Sequence, residues 1–216
     1  MTNKITVIGS ANVDLVIHSD KMPKPGETLV GSNFQINAGG KGLNQSTAIA
    51  KLGGNVLFLG AVGEDSNGEF LLDALKEYGI AFKGVKTQKH PTGAAMITVV
   101  NGDNFIFLNS GANDALTVEV INQKSHLITE SDDCVLQLEI PTQTVLKVIE
   151  IANKNKTKII LNPAPFKELP EAIYPLVDYL IPNEHEAELL TGIRIDSEES
   201  AIRAVKKSNN WVLKTL

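Results

Sequence analysis

The sequence predicts an α/β protein with a mostly parallel central sheet and a separate accessory sheet, and three observations carry that expectation. Short apolar, β-branched runs at residues 4–8, 55–62, 134–138, 158–161 and 179–181 read as buried strands. The last three alternate with helical segments, which implies parallel βαβ units with right-handed crossovers. Residues 15–17 and 27–36 are strand-like but poor in core-forming side chains, so they belong to an accessory sheet, and an Asn101-Gly102 turn joins 93–100 to 104–108 as a hairpin.

In chain order, the run at 4–8 ends at Gly9-Ser10 and leads to Asn12 and Asp14, which alternate with Val13 and Leu15. In an extended chain both polar side chains share one face. They follow the carboxyl end of a first strand, where open α/β sheets place ligands, although the same pattern suits a turn held by Asx hydrogen bonds. Met22-Pro23-Lys24-Pro25-Gly26 cannot be helical. Next, Asn37-Ala38-Gly39-Gly40-Lys41-Gly42-Leu43-Asn44-Gln45 crowds glycines around a lysine ahead of an apolar run that Gly53-Gly54 closes. This predicts a loop feeding a helix N-terminus, whose backbone N–H groups and dipole suit an oxygen-rich or anionic ligand. Lys41 adds a charge, and Asn44 offers the donor and acceptor that a sugar hydroxyl needs. The spacing alone fits an ordinary joint with a solvated Lys41 equally well. It matches neither a P-loop nor the dinucleotide fingerprint.

Asp65 opens a helix that stops at Tyr78-Gly79, and residues 109–114 lead to a helix from about Thr117. The strand at 134–138 ends in Glu139-Ile140-Pro141 and is followed by a helix over 142–153. The strand at 158–161 ends in Asn162-Pro163-Ala164-Pro165, and that at 179–181 ends in Pro182-Asn183-Glu184-His185-Glu186 before another helix. Residues 211–216 read as a further central strand, interrupted by Lys214. Glu139, Asn162, Asn183 and Glu186 thus collect along the carboxyl edge of the sheet. Glu139 can accept from hydroxyls, while Asn183 and Glu186 could hold a hydrated magnesium ion and phosphates through oxygen. Glu186 by itself equally suits a first-turn helix acid stabilised by the dipole.

Composition narrows the partner to a small molecule. The 216 residues are 43% hydrophobic and carry a formal charge of −5 without a long basic run, so nucleic acid and anionic membranes are not attracted. Cys134 is the sole cysteine and lies in an apolar run, as expected of a core thiol in a reducing cytoplasm. His18, His90, His126 and His185 have no metal-site spacing, no serine sits in a nucleophile elbow, and no segment is long and apolar enough to span a bilayer.

Taken together these segments resemble the ribokinase family of carbohydrate kinases. The resemblance rests on Gly9-Ser10-Ala11-Asn12-Val13-Asp14, Gly39-Gly40-Lys41-Gly42-Leu43-Asn44-Gln45, Gly60-Ala61-Val62-Gly63 before Asp65, Leu138-Glu139-Ile140-Pro141, Asn162-Pro163-Ala164-Pro165 and Asn183-Glu184-His185-Glu186-Ala187-Glu188, and it covers essentially the whole chain. It implies a three-layer sandwich with a small β lid made from 15–36 and 93–108, within one incomplete domain spanning 1–216. It implies that Asn12, Asp14, Gly40, Lys41, Asn44 and Glu139 contact sugar hydroxyls. Asn183 and Glu186 would organise the ATP phosphates, Glu186 also holding Mg2+ indirectly; the K+ of the full-length family has no site in this chain. The implied reaction carries the ATP γ-phosphoryl to the primary hydroxyl of D-ribose, with fructose or a nucleoside as alternative substrates. The family's Gly-Ala-Gly-Asp-type segment, with its anion hole and general-base aspartate, does not occur here. The chain is therefore expected to be a C-terminally truncated fragment without a catalytic residue, inactive alone. The alternative is a non-catalytic sugar-binding or regulatory remnant, and pairing of lids implies a homodimer.

Overall fold

A computed structural model describes residues 3–208; the strand expected at 211–216 lies outside the described residues. The chain runs through β1 (Lys4–Ile8), β2 (Asn12–Ser19), β3 (Ser32–Gly39), α1 (Lys41–Lys51), β4 (Asn55–Leu59), β5 (Ala61–Gly63) and α2 (Ser66–Glu77). It continues through β6 (Ala81–Phe82), β7 (Val85–Thr87), β8 (Gly93–Val100), β9 (Asp103–Asn109), a 3-10 turn at Gly111–Ala115, α3 (Val118–Gln123) and α4 (Ser125–Thr129). β10 (Asp133–Leu136), α5 (Thr142–Asn155), β11 (Lys158–Leu161), β12 (Tyr179–Leu180), α6 (Glu184–Thr191) and α7 (Glu198–Ser208) follow.

Strand alternation builds a three-layer sandwich. The central sheet has the order β12-β11-β10-β1-β4-β6 with every pairing parallel. Ile8, Leu59, Cys134, Leu136, Ile159 and Leu161 face one core, which Ile121, Ile128, Val145, Val148 and Ile149 cover from α3, α4 and α5. Val7, Phe58 and Val135, one position out of step, face the other, covered by Leu43 of α1 and by Leu71 and Leu75 of α2. The central strands are apolar at nearly every position because both faces are buried.

The accessory sheet has the order β3-β2-β8-β9, with β2 and β8 parallel and the outer pairs antiparallel. Asn101 and Gly102 have φ of 52° and 89°, as the expected tight turn requires. Several boundaries differ from expectation. β2 begins at Asn12 rather than Leu15, and β3 runs on to Gly39 rather than stopping at 36, because main-chain pairing extends both strands through polar residues that carry no hydrophobic signal; β3 also starts only at Ser32, since 27–31 make no strand pairing. The glycine stretch is not a loop: Asn37 and Gly39 pair with Asp14 and Asn12, and Gly40 alone joins β3 to α1. The run at 55–62 breaks at Gly60, and its second part pairs with β7 in a separate small sheet.

Leu136 has no exposed side chain and lies in register between Ile8 and Leu161. Leu136→Ala is expected to cost about 2–5 kcal/mol of stability in urea unfolding, through lost burial and the cavity left behind.

Candidate functional site

The site begins where β1 leaves the central sheet. After Ile8 the chain crosses through Gly9, Ser10 and Ala11 into β2, while α1 starts directly against that crossing. A Cβ on Gly42 would lie 2.7 Å from the Gly9 carbonyl carbon and the Ser10 nitrogen, so only glycine lets the helix approach so closely. Gly40 takes φ 88° at the helix entry, a left-handed value that favours glycine.

This contact uses up the helix N-terminus. The Lys41 N–H donates to Glu139 Oε2 at 3.0 Å, Gly42 N–H to Ser10 Oγ at 3.4 Å, and Leu43 N–H to the Ser10 carbonyl at 2.9 Å. The sequence expectation that these N–H groups await an anionic ligand is thereby corrected, because the carboxylate beside β10 and the β1 crossing already satisfy them. Ser10 Oγ also donates to Glu139 Oε2, at 2.5 Å.

The groups left open are side chains. Asn12 is buried, with Oδ1 accepting from Asn113 Nδ2 at 2.8 Å. Asp14 lies two positions along β2, on the same face and half-buried. Its carboxylate packs against Gly39, where a Cβ would fall 2.1 Å from Oδ2. Burial, then the nearby charge of Glu139, holds the Asp14 carboxyl above the usual aspartate value. Among the described residues the Asp14 carboxylate, Asn12 Nδ2, Glu139 Oε1, the Lys41 ammonium and the Asn44 side chain make no hydrogen bond or ion pair. Lys41 and Asn44 share one face of α1 at i, i+3 spacing. Five of the six residues expected to contact sugar thus present unsatisfied polar groups around one junction; the sixth, Gly40, shapes the backbone.

Asn183 and Glu186 lie apart from this group, beyond β12. Three strand spacings separate β12 from β1, on the order of 14 Å. The two form a closed capping box: Asn183 N–H and Nδ2 donate to Glu186 Oε2 and Oε1 at 2.9 and 3.0 Å, and Glu186 N–H donates to Asn183 Oδ1 at 2.8 Å. Asn162, between them on the edge, donates from Nδ2 to the Ile181 carbonyl. Among the described residues no three His, Cys, Asp or Glu side chains cluster as a metal site, and no helix is long and apolar enough to cross a membrane. Cys134 is a core thiol, pushed up to about 12 by burial and by the charge of Asp133.

Sequence reasoning missed Asn113, buried in the 3-10 turn, and the polar role of Ser10. It read Asp65 only as a helix opener. Asp65 Oδ1 does cap α2 through Gly68 N–H at 2.8 Å, but the same carboxylate also accepts from Thr92 N–H and Thr92 Oγ at 2.8 and 2.6 Å, anchoring the start of β8. The signal for Asn113 was its place just after the β8–β9 hairpin; nothing local reports a partner 102 positions away.

A raised carboxyl contributes stability below its unfolded value and loses it as pH rises through the folded value. The unfolded reference for Asp14 is 3.8, so at neutral pH its charge works against the fold. Asp14→Asn is expected to melt at a higher temperature than the native chain at pH 7, with the gain shrinking as pH falls toward 3.8.

Comparison with known proteins identifies the family. Residues 2–216 match the pfkB family of carbohydrate kinases. The chain is 41% identical to a ribokinase of Haemophilus influenzae over 218 residues, covering 100% of this chain and 71% of the relative. It is 40% identical to a deoxyribokinase of Salmonella typhi, covering 94% of this chain and 67% of that one. The solved structure of Arabidopsis thaliana ribokinase complexed with ribose and ATP superimposes with a TM-score of 0.90 at 30% identity, covering 98% of this chain and 70% of that chain. The chain belongs to the pfkB family of carbohydrate kinases, which are phosphotransferases.

Proposed function

We propose that this chain supplies the sugar-binding part of an ATP-dependent kinase that phosphorylates D-ribose at its primary hydroxyl to give ribose 5-phosphate. The observation that carries this reading is the ring of unpartnered polar groups at the β1–α1 junction: Asn12 Nδ2, the Asp14 carboxylate and Glu139 Oε1, with Lys41 and Asn44 beside them. Among the described residues these groups have no protein partner, and they stay accessible, so a polyhydroxylated ligand can engage them. The carboxylates accept from hydroxyls, and the asparagines and lysine donate to them. Ala95, Ile97, Ile106 and Leu108 share the Asn12 and Asp14 face of the accessory sheet by register, forming an apolar wall. That sheet acts as the lid, closing over the sugar so that water does not compete as phosphoryl acceptor.

Asn183 and Glu186 belong to the nucleotide side. Because both Glu186 oxygens already accept from Asn183, Glu186 suits water-mediated rather than direct contact with Mg2+. Magnesium bound with ATP neutralises phosphate charge; the chain's own part is to hold the cap and orient water there. The 216 residues contain no Gly-Ala-Gly-Asp-type segment. By themselves they bind and orient the sugar without a general base.

Calorimetry on the 216-residue chain is expected to show saturable D-ribose binding that Asp14→Ala weakens about 10- to 100-fold, with no ribose-dependent ATP turnover. Absence of ribose binding by a folded sample, alongside saturable binding of fructose or a nucleoside, would reassign the substrate. Turnover by these residues alone would overturn their lack of catalytic power.

The outer lid face pairs with a second copy. Ile36, Met96 and Phe107 share that face by register and are 53%, 62% and 75% exposed, a contiguous apolar stripe suited to burial. Sedimentation is expected to show a dimer that Met96→Glu converts to monomer with sugar binding per chain retained.

A further inference from the structure

We propose that Asn113 is a positioning residue that orients the Asn12 amide, so that Asn12 meets a ligand hydroxyl only as a donor. This rests on the sugar-binding reading above for its consequence, but its geometry stands on backbone chemistry. The two ends of an asparagine amide are alike in shape, and only hydrogen-bond partners assign them. The Ala11 backbone N–H can only donate, and it faces Asn113 Oδ1 at 2.9 Å. The Ser110 carbonyl can only accept, and it faces Asn113 Nδ2 at 2.9 Å. Nδ2 also reaches the Ala11 carbonyl at 3.3 Å. Two fixed backbone groups on opposite sides therefore determine which end of Asn113 is which.

The orientation passes on one step. Asn113 Nδ2 can only donate, so the Asn12 atom facing it at 2.8 Å is the oxygen. Asn12 Nδ2 is turned the other way and has no acceptor among the described residues. Both residues are nearly sealed from solvent, at 1% and 2% exposure, so water does not replace either bond. Gly93 leaves the space the pair needs: a Cβ there would lie 2.3 Å from Asn12 Oδ1 and 2.5 Å from Asn113 Nδ2.

The result is a polarised pair on one face of β2. Asn12 only donates into the site, and ionised Asp14 only accepts. A hydroxyl does both and satisfies the pair, singly or as neighbours on a sugar ring; a carbonyl oxygen or an ammonium group satisfies one member only. Without Asn113 the Asn12 amide is free to turn its oxygen inward and face the ligand with a second acceptor.

A double-mutant cycle tests this on the 216-residue chain, with D-ribose affinity read by calorimetry. Asn113→Ala is expected to weaken binding about 10-fold in the native background and to change it less than about 2-fold when Asn12 is already Ala. Asn113→Asp, which keeps the acceptor for Ala11 N–H but has no donor for Asn12, is expected to lose at least as much while staying folded. Equal losses in both backgrounds would overturn the positioning role. A ligand-free arm reads exchange of the Asn113 side-chain NH2 protons by NMR: protection is expected in the native chain, with one proton losing it in Asn12→Ala. Exchange as fast as that of a surface asparagine would overturn the orientation. If ribose gives no binding heat, the sugar reading fails, and the exchange arm still decides the orientation.

Discussion

A single carboxylate oxygen joins the three segments from which the site is made. Glu139 Oε2 accepts from Ser10 Oγ at the exit of β1 and from the Lys41 N–H at the start of α1, while Glu139 itself follows β10. Hydrogen bonds to a charged group contribute about 1.5–3 kcal/mol each, and here they also compensate the positive end of α1. The junction is possible only because Gly42 lets α1 approach the β1 crossing to backbone contact. With Oε2 committed to structure, Oε1 remains for chemistry, so one side chain serves both the fold and the site.

The same junction sends the chain out of the central sheet and into the accessory sheet. β2 starts at Asn12, only a few residues past the end of β1, so its first polar side chains stand at the carboxyl edge of the central strands. Asn113 and Asp65 tie the accessory sheet to that edge, the first at the start of β2, the second at the start of β8. The accessory sheet is thus anchored by these polar contacts together with a shared apolar patch, where Val13, Leu15 and Ala38 pack against Val7, Leu43 and Phe58.

Electrostatics set the site against the fold. Burial, and after it the nearby charge of Glu139, opposes ionisation of Asp14. The Asp14 carboxylate and Glu139 Oε1 take their donors from outside the chain, water or a bound hydroxyl. The opposite holds at Glu186, whose charge the fold meets internally through the Asn183 cap. Two acidic positions that look alike in the sequence therefore differ in kind: the Asp14 carboxylate has no partner among the described residues, while Glu186 is already satisfied.

The parallel central sheet was legible because both its faces are buried, and runs such as those around Val7 and Val135 are apolar at nearly every position whatever the rest of the chain does. The hairpin at Asn101-Gly102 and the helix stop at Gly79 were legible because backbone dihedrals there depend on the residues themselves. The identities of Asn12, Asp14, Lys41, Asn44 and Glu139 were visible as polar groups at strand ends and a helix start. Their engagement was not. Whether the α1 N–H groups were free and which way the Asn12 amide pointed depended on partners up to 102 positions distant, such as Asn113 against Ala11, whereas the Asn183–Glu186 cap is a local pairing three positions apart. Local sequence determines which groups are present and which backbone shapes they tolerate; a hydrogen bond between remote segments exists only once packing has brought them together, so the tertiary structure alone decided which of those groups remain open to a ligand.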